Sequence, residues 1–107
     1  MTEAEIMRDI QIAVSELGCR VWRNNIGILQ DRNGKYVCYG VCNPGGSDLI
    51  GFTNKGRFLA IEVKTEKGTV TTEQAQFILT VNQFGGIAFV ARSVSEAVSI
   101  LENIIKE

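Results

Sequence analysis

Histidine is absent from the 107 residues, and proline occurs once. There are three cysteines. With no histidine to complete a set, the Cys38–Cys42 spacing and the distant Cys19 do not make a zinc site. The odd count and the lack of a regular framework argue against structural disulfides and fit a reducing compartment. No apolar run approaches the roughly 20 residues that span a bilayer. The opening Met-Thr-Glu-Ala-Glu lacks a basic stretch followed by an apolar one, so no secretory signal is expected. The expected setting is therefore the cytoplasm, without a membrane partner. Excess positive charge is also missing. Eleven Lys and Arg stand against twelve Asp and Glu, for a net charge of −1. That excludes the broadly basic surface common among nucleic-acid binders. It leaves room for a local basic face, because Arg20, Arg23, Arg32, Lys35, Lys55, Arg57, Lys64 and Lys67 all fall mid-chain. No repeat, low-complexity tract or linker divides the chain, so residues 1–107 are read as one domain.

What is present is concentrated between Gly45 and Lys64. Gly-Gly-Ser-Asp-Leu-Ile-Gly-Phe is followed by Thr-Asn-Lys-Gly and then by Arg-Phe-Leu-Ala-Ile-Glu-Val-Lys. Two apolar runs around a short polar stretch ending in glycine predict a β-hairpin. If Asn54, Lys55 and Gly56 form the loop, Gly56 takes the left-handed position. Thr53 then faces Arg57, Phe52 faces Phe58, Ile50 faces Ala60, and Asp48 faces Glu62. Alternation puts Asp48, Glu62 and Lys64 on one face. Opposed residues have Cβ atoms about 5 Å apart. Two carboxylates so close repel, unless a cation lies between them or one keeps its proton. Oxygen ligands of this kind suit Mg²⁺ or Mn²⁺. A neighbouring lysine can orient water or stabilise developing anionic charge. The set is suited to metal-assisted phosphodiester cleavage. The plainer reading makes Asp48 a turn residue and the other two a solvated strand face.

Elsewhere, residues 2–17 read as an amphipathic helix with Ile6, Ile10, Val14 and Leu17 inward, Thr2 as cap and Gly18 as stop. Glu3 aligns with the inward stripe and Glu5 with the outer face. Residues 19–25 read as a strand, with Trp22 assigned to the core or, alternatively, to stacking on a base. Arg23 is read as a phosphate contact or the partner of an acid. Residues 26–41, turning at Asn33-Gly34, form a small β-excursion. Gly45 and Gly46 allow a close backbone approach beside Ser47 and Asp48. A second helix opens at Thr71–Gln74 with capping-box spacing and buries Phe77, Ile78, Val81 and Phe84. Gln74 has the spacing to cap that helix and also faces inward. A buried strand at 87–91 and a third helix from Val94, with a second capping box at Ser93–Glu96, complete the chain. Arg92 is read as a surface residue or a phosphate contact. A right-handed crossover should return the last strand parallel to a neighbour. The expected fold is α/β: a single domain with a mixed central sheet flanked by helices.

Gly45-Gly46-Ser47-Asp48, Ile61-Glu62-Val63-Lys64 and Gln74, together with Trp22-Arg23-Asn24-Asn25 and Gly27, resemble the virus-type replication-repair nuclease (VRR-NUC) domain. That family belongs to the PD-(D/E)xK nucleases. The resemblance implies the restriction-endonuclease-like αβββαβ core and a Mg²⁺- or Mn²⁺-dependent endodeoxyribonuclease. It implies Asp48, Glu62 and the Val63 carbonyl as metal ligands, Lys64 as catalytic lysine, and Gln74 beside the metal. It carries the helix glutamate onto Glu3, with Glu5 as rival, and makes Glu3 a further candidate ligand. Gly46, Ser47 and Arg23 become candidate DNA contacts. Members that stand alone look like homodimers acting on branched DNA such as Holliday junctions, and leave 5′-phosphate ends. Two alternatives stay open: a non-catalytic DNA-binding module, and a nuclease subunit of a larger restriction or repair assembly.

Overall fold

The computed structural model describes residues 1–106. Thr2 starts the first helix, α1 (Glu3–Glu16). Its hydroxyl accepts the Glu5 N–H at 3.2 Å, and the Glu5 carboxylate accepts the Thr2 N–H at 3.4 Å. Two otherwise orphaned donors are thereby satisfied. Ile6, Met7, Ile10 and Val14 are buried along one stripe. Glu3, expected on that stripe, is exposed. A carboxylate in the first turn gains from the helix dipole while its oxygens stay in water.

After α1 come β1 (Arg20–Arg23), β2 (Gly27–Gln30), β3 (Tyr36–Tyr39), β4 (Leu49–Phe52) and β5 (Phe58–Val63). They are followed by α2 (Thr72–Gln83), β6 (Ile87–Ala91) and α3 (Val94–Ile105). The main sheet has the order β1-β4-β5-β6, with β5 and β6 parallel and the other pairs antiparallel. The expected register is present: Phe52 pairs with Phe58 and Ile50 with Ala60. The loop closes as the spacing requires. Gly56 sits at φ 79°, and the buried Thr53 hydroxyl accepts the N–H groups of Lys55 and Arg57. Setting β2 and β3 aside, the order α1-β1-β4-β5-α2-β6 is the αβββαβ core of a restriction-endonuclease-like α/β domain.

Alternation along the strands builds two unlike faces. Val21, Leu49, Leu59, Ile61, Val63, Ile87, Phe89 and Ala91 join the α1 stripe and Ala97 and Leu101 of α3 in one core. On the other face α2 packs on Ala60 and Ala88 through Val81, Phe77 and Ile78, with Ile50 partly buried beside them. Trp22, expected in the core, lies on this second face and is 53% exposed. It rests against Phe52, with ring centroids 5.5 Å apart. The 12-residue α2 does not reach as far as β1. Phe84, expected on the inward stripe of α2, is exposed, because it falls at the C-cap, where the helix ends.

β2 and β3 pair only with each other and form an arm. Asp31 turns it, its carboxylate accepting the N–H groups of Asn33 and Lys35 at 2.9 Å each. Two asparagines clamp its root. Asn24 exchanges hydrogen bonds with Val41 and donates to the Ser47 carbonyl, and Asn43 donates to the carbonyls of Gly27 and Tyr39.

At the third helix the expected capping box is half made. Ser93 accepts the Glu96 N–H, but Glu96 reaches past it to the N–H of Arg92. Arg92 donates to the carbonyls of Thr65 and Gly68 at 2.8 and 2.6 Å, holding the turn after β5. It serves the protein's own backbone.

Candidate active site

The strands β4 and β5 part at Asp48. Leu49 still pairs with Ile61. One residue earlier, the Val63 N–H is taken by the Asp48 side chain, Oδ2 accepting it at 2.8 Å. The Ser47 carbonyl is held instead by Asn24, at 3.1 Å. A carboxylate thus takes the place of a ladder carbonyl and is fixed beside Glu62. In an extended strand a residue's N–H and C=O open to the same edge, so the Val63 carbonyl faces this gap too.

Glu62 is 1% exposed. Its Oε2 accepts from Gln74 Nε2 at 3.2 Å and lies 3.4 Å from Lys64 Nζ. Its Oε1 is buried with no hydrogen-bond partner among the described residues. Burial, then the adjacent Asp48 carboxylate, pushes the Glu62 pKa up from 4.5 to about 8, against the pull of Lys64. A carboxylate in such a place either holds a proton near neutrality or requires added positive charge. The hard oxygen donors and the orphaned Oε1 fit Mg²⁺ or Mn²⁺.

Gln74 does two things that the sequence reading set against each other. Its Oε1 accepts the Thr71 N–H at 3.0 Å and completes the cap of α2, while its Nε2 donates to Glu62. The two ends of an amide have opposite polarity, so one side chain serves both partners.

A cleft of about 870 Å³ opens over this point. Asp48 and Gln74 lie in its wall, between the root of the arm and the start of α2. Of the expected DNA contacts, Arg23 and Gly46 line it, and the buried Ser47 does not. A Cβ on Gly46 would collide with the Val41 carbonyl, so glycine is required there for the loop to pack on itself. Among the described residues Arg23 pairs with no acid, and it also lines a groove beside Ala4, Met7, Arg8 and Gln11 of α1. Glu3 and Glu5 are not in the cleft wall. Their helix packs on the opposite face of the sheet, and Glu5 is engaged in the Thr2 cap. No three His, Cys, Asp or Glu side chains converge to hold a metal among the described residues. The protein donors at hand are therefore Asp48, Glu62 and the Val63 carbonyl.

Sequence reading missed Glu73 and Tyr39, which also line the cleft, and the positioning role of Asn24. Glu73 has no sequence signal beyond its place in the first turn of α2. Among known families, the model of the VRR-NUC domain matches residues 7–95. No curated protein matches the chain.

Proposed function

The chain belongs to the VRR-NUC domain family, and from that premise we propose that it is a metal-dependent endonuclease acting on branched DNA. Membership places it in the nuclease superfamily, with DNA as substrate. The observation that carries the finer reading is the in-register acid pair, with one buried Glu62 oxygen unpartnered and Lys64 alongside.

In this reading Asp48, Glu62 and the Val63 carbonyl hold Mg²⁺ or Mn²⁺. When bound, the ion polarises the scissile phosphate and lowers the pKa of its water. The Val63 N–H fixes Asp48, and Gln74 fixes the Glu62 carboxylate. Lys64 stabilises the charge developing on the phosphate oxygens or holds the attacking water. Arg23 binds a flanking phosphate at the rim. The water oxygen bonds to phosphorus, the bond from phosphorus to the 3′ oxygen breaks, and 5′-phosphate and 3′-hydroxyl ends remain. Glu3, exposed in the first turn of α1, is the remaining candidate for a further ligand. Glu3→Ala tests it, with Glu5→Ala as the control that removes a cap alone.

The arm supports a homodimer. Ile28, Leu29, Tyr36, Val37, Tyr39 and Val41 are all exposed on it. A two-stranded ribbon is marginal in water, and exposed apolar patches of this kind mark association surfaces. The arm also stretches the molecule to 50 × 32 × 23 Å and a radius of gyration of 14.4 Å, against about 13 Å for a compact chain of this length. Two sites related by a two-fold axis suit paired cuts in a junction. Sedimentation of the wild type and of Ile28→Glu tests this, with a dimer and a monomer expected.

The activity test uses labelled four-way junction, duplex and single-stranded DNA with Mg²⁺, Mn²⁺ or EDTA. Junction cutting in either metal, none in EDTA, and loss in Asp48→Ala and Lys64→Ala are expected. Cutting that persists undiminished in both variants overturns the mechanism.

A further inference from the structure

Trp22 is half exposed on the edge strand of the sheet. It stands on the same face of the sheet as Asp48 and Glu62. Its row of the ladder is Trp22, Ile50, Ala60 and Ala88. The next row along begins at Asn24, whose N–H bonds the Asp48 carbonyl at 2.8 Å, and continues through Asp48 to Glu62 and Val90. Diagonal neighbours on adjacent strands have Cβ atoms roughly 7–8 Å apart. The indole therefore sits one ladder step from the acid pair. Helix α2 covers the far half of its row, and β1 is the edge strand, so the ring stays about half exposed. Phe52 supports it from behind, and Phe58, opposite Phe52, extends the apolar strip away from the site.

We propose that Trp22 is a specificity-determining platform on which an unpaired base of the substrate stacks, one ladder step from the place where the scissile phosphate meets the site. The proposal rests on the nuclease reading above and adds which DNA that site selects. The chemistry favours this occupant over others. A phosphate at the acid pair brings the base of a neighbouring nucleotide within reach of the ring. Every base has an aromatic face that can stack on an indole. In a duplex those faces are hidden by their neighbours, so only an unstacked nucleotide offers one. Arg23, next in sequence, lines both the cleft and the groove against α1 and adds positive charge at this edge of the sheet. Flaps, forks and junctions that expose an unpaired nucleotide beside the cut gain this contact, and blunt duplex does not.

Trp22 is the sole tryptophan, so its fluorescence reports on this position alone. The 107-residue protein is titrated in Ca²⁺, a hard cation that takes oxygen ligands, with a forked DNA carrying unpaired nucleotides and with blunt duplex of equal length. Quenching by the fork, weaker or absent with duplex, is expected. In anisotropy with labelled DNA, Trp22→Ala should bind the fork about tenfold more weakly and lose most of the preference over duplex, whereas Trp22→Phe should keep most of it. Equal quenching by fork and duplex, or an unchanged preference in Trp22→Ala, overturns the platform. So does a concentration-dependent emission shift without DNA, which gives the ring to a second copy of the chain. Cutting in Mn²⁺ without quenching removes the platform and leaves the nuclease reading intact. Quenching without cutting in either metal supports the platform and removes the nuclease reading.

Discussion

Ile61 and Glu62 are consecutive residues, both almost wholly buried, and they point to opposite faces of one sheet. Ile61 lies in an apolar layer shared with α1 and α3. Glu62 lies under a cleft, with one oxygen satisfied and one not. The first face holds most of the buried apolar surface, and the second is covered by α2 only in part. A sheet sealed on one side can carry a strained polar group on the other without losing its fold. The difference teaches where stability and chemistry are each lodged, strand by strand, by the alternation of side chains alone.

The sharpest way to break that division is to change the two neighbours separately. Glu62→Gln should reduce DNA cutting by roughly a hundredfold or more, since it removes a ligand and its charge. In EDTA at pH 8 the same variant should be no less stable than wild type, because it resembles the protonated acid. If it unfolds instead, Glu62 is a structural charge and the division fails. Ile61→Ala should do the reverse. It should cost about 2–5 kcal/mol of stability by chemical denaturation, while the folded fraction keeps its response to Mn²⁺.

Acidity sharpens the comparison further. The native pKa of Glu62 is raised to about 8 from 4.5, so between those values the folded protein holds a proton that the unfolded chain has released. The contribution of Glu62 to stability in EDTA is therefore full below about pH 4.5 and falls as pH rises toward 8. The slope approaches at most about 1.4 kcal/mol per pH unit, and the fall ends above the native pKa. Mn²⁺ takes the place of the proton, so the stabilisation it gives should grow over the same window. Melting temperatures from pH 5 to 9, with and without Mn²⁺, check both trends. Glu62→Gln should show neither.

The smallest effects belong to Gln74, whose two ends can be separated. Gln74→Glu keeps an acceptor for the Thr71 N–H but replaces the donor to Glu62 by a third carboxylate. Gln74→Ala removes both contacts, with a cap loss of about 1 kcal/mol. Only Gln74→Glu should raise the EDTA-sensitive repulsion at the site while leaving the helix end intact. Melting curves at pH 8 in EDTA and in Mn²⁺ distinguish the two variants.

Much of this was legible in the sequence where local rules act in concert. The three-residue loop at Asn54–Gly56 sets the register of β4 against β5, and period-two alternation then brings Asp48 opposite Glu62. Thr2 and Thr71 announce their helices by capping chemistry. What was not legible depends on contacts without a period. Asn24 and Asn43 clamp the arm through side-chain to backbone bonds across 16 or more residues in sequence. Nothing in their neighbours signals such bonds. Trp22 looked like a core residue because its strand alternates correctly, yet its exposure depends on how far α2 reaches across the sheet. Glu3 follows the spacing of its stripe but lies one turn too early to be covered. For Gln74, spacing sets capping against a role at the site, because it does not distinguish the two ends of an amide.

The central claim is that Asp48 and Glu62 are held on one face for a divalent cation. A crystal of the wild-type protein soaked in Mn²⁺ at pH 8 tests it most directly. The account predicts one anomalous peak between the Asp48 and Glu62 carboxylates, within bonding distance of both. A map with no peak there would contradict it.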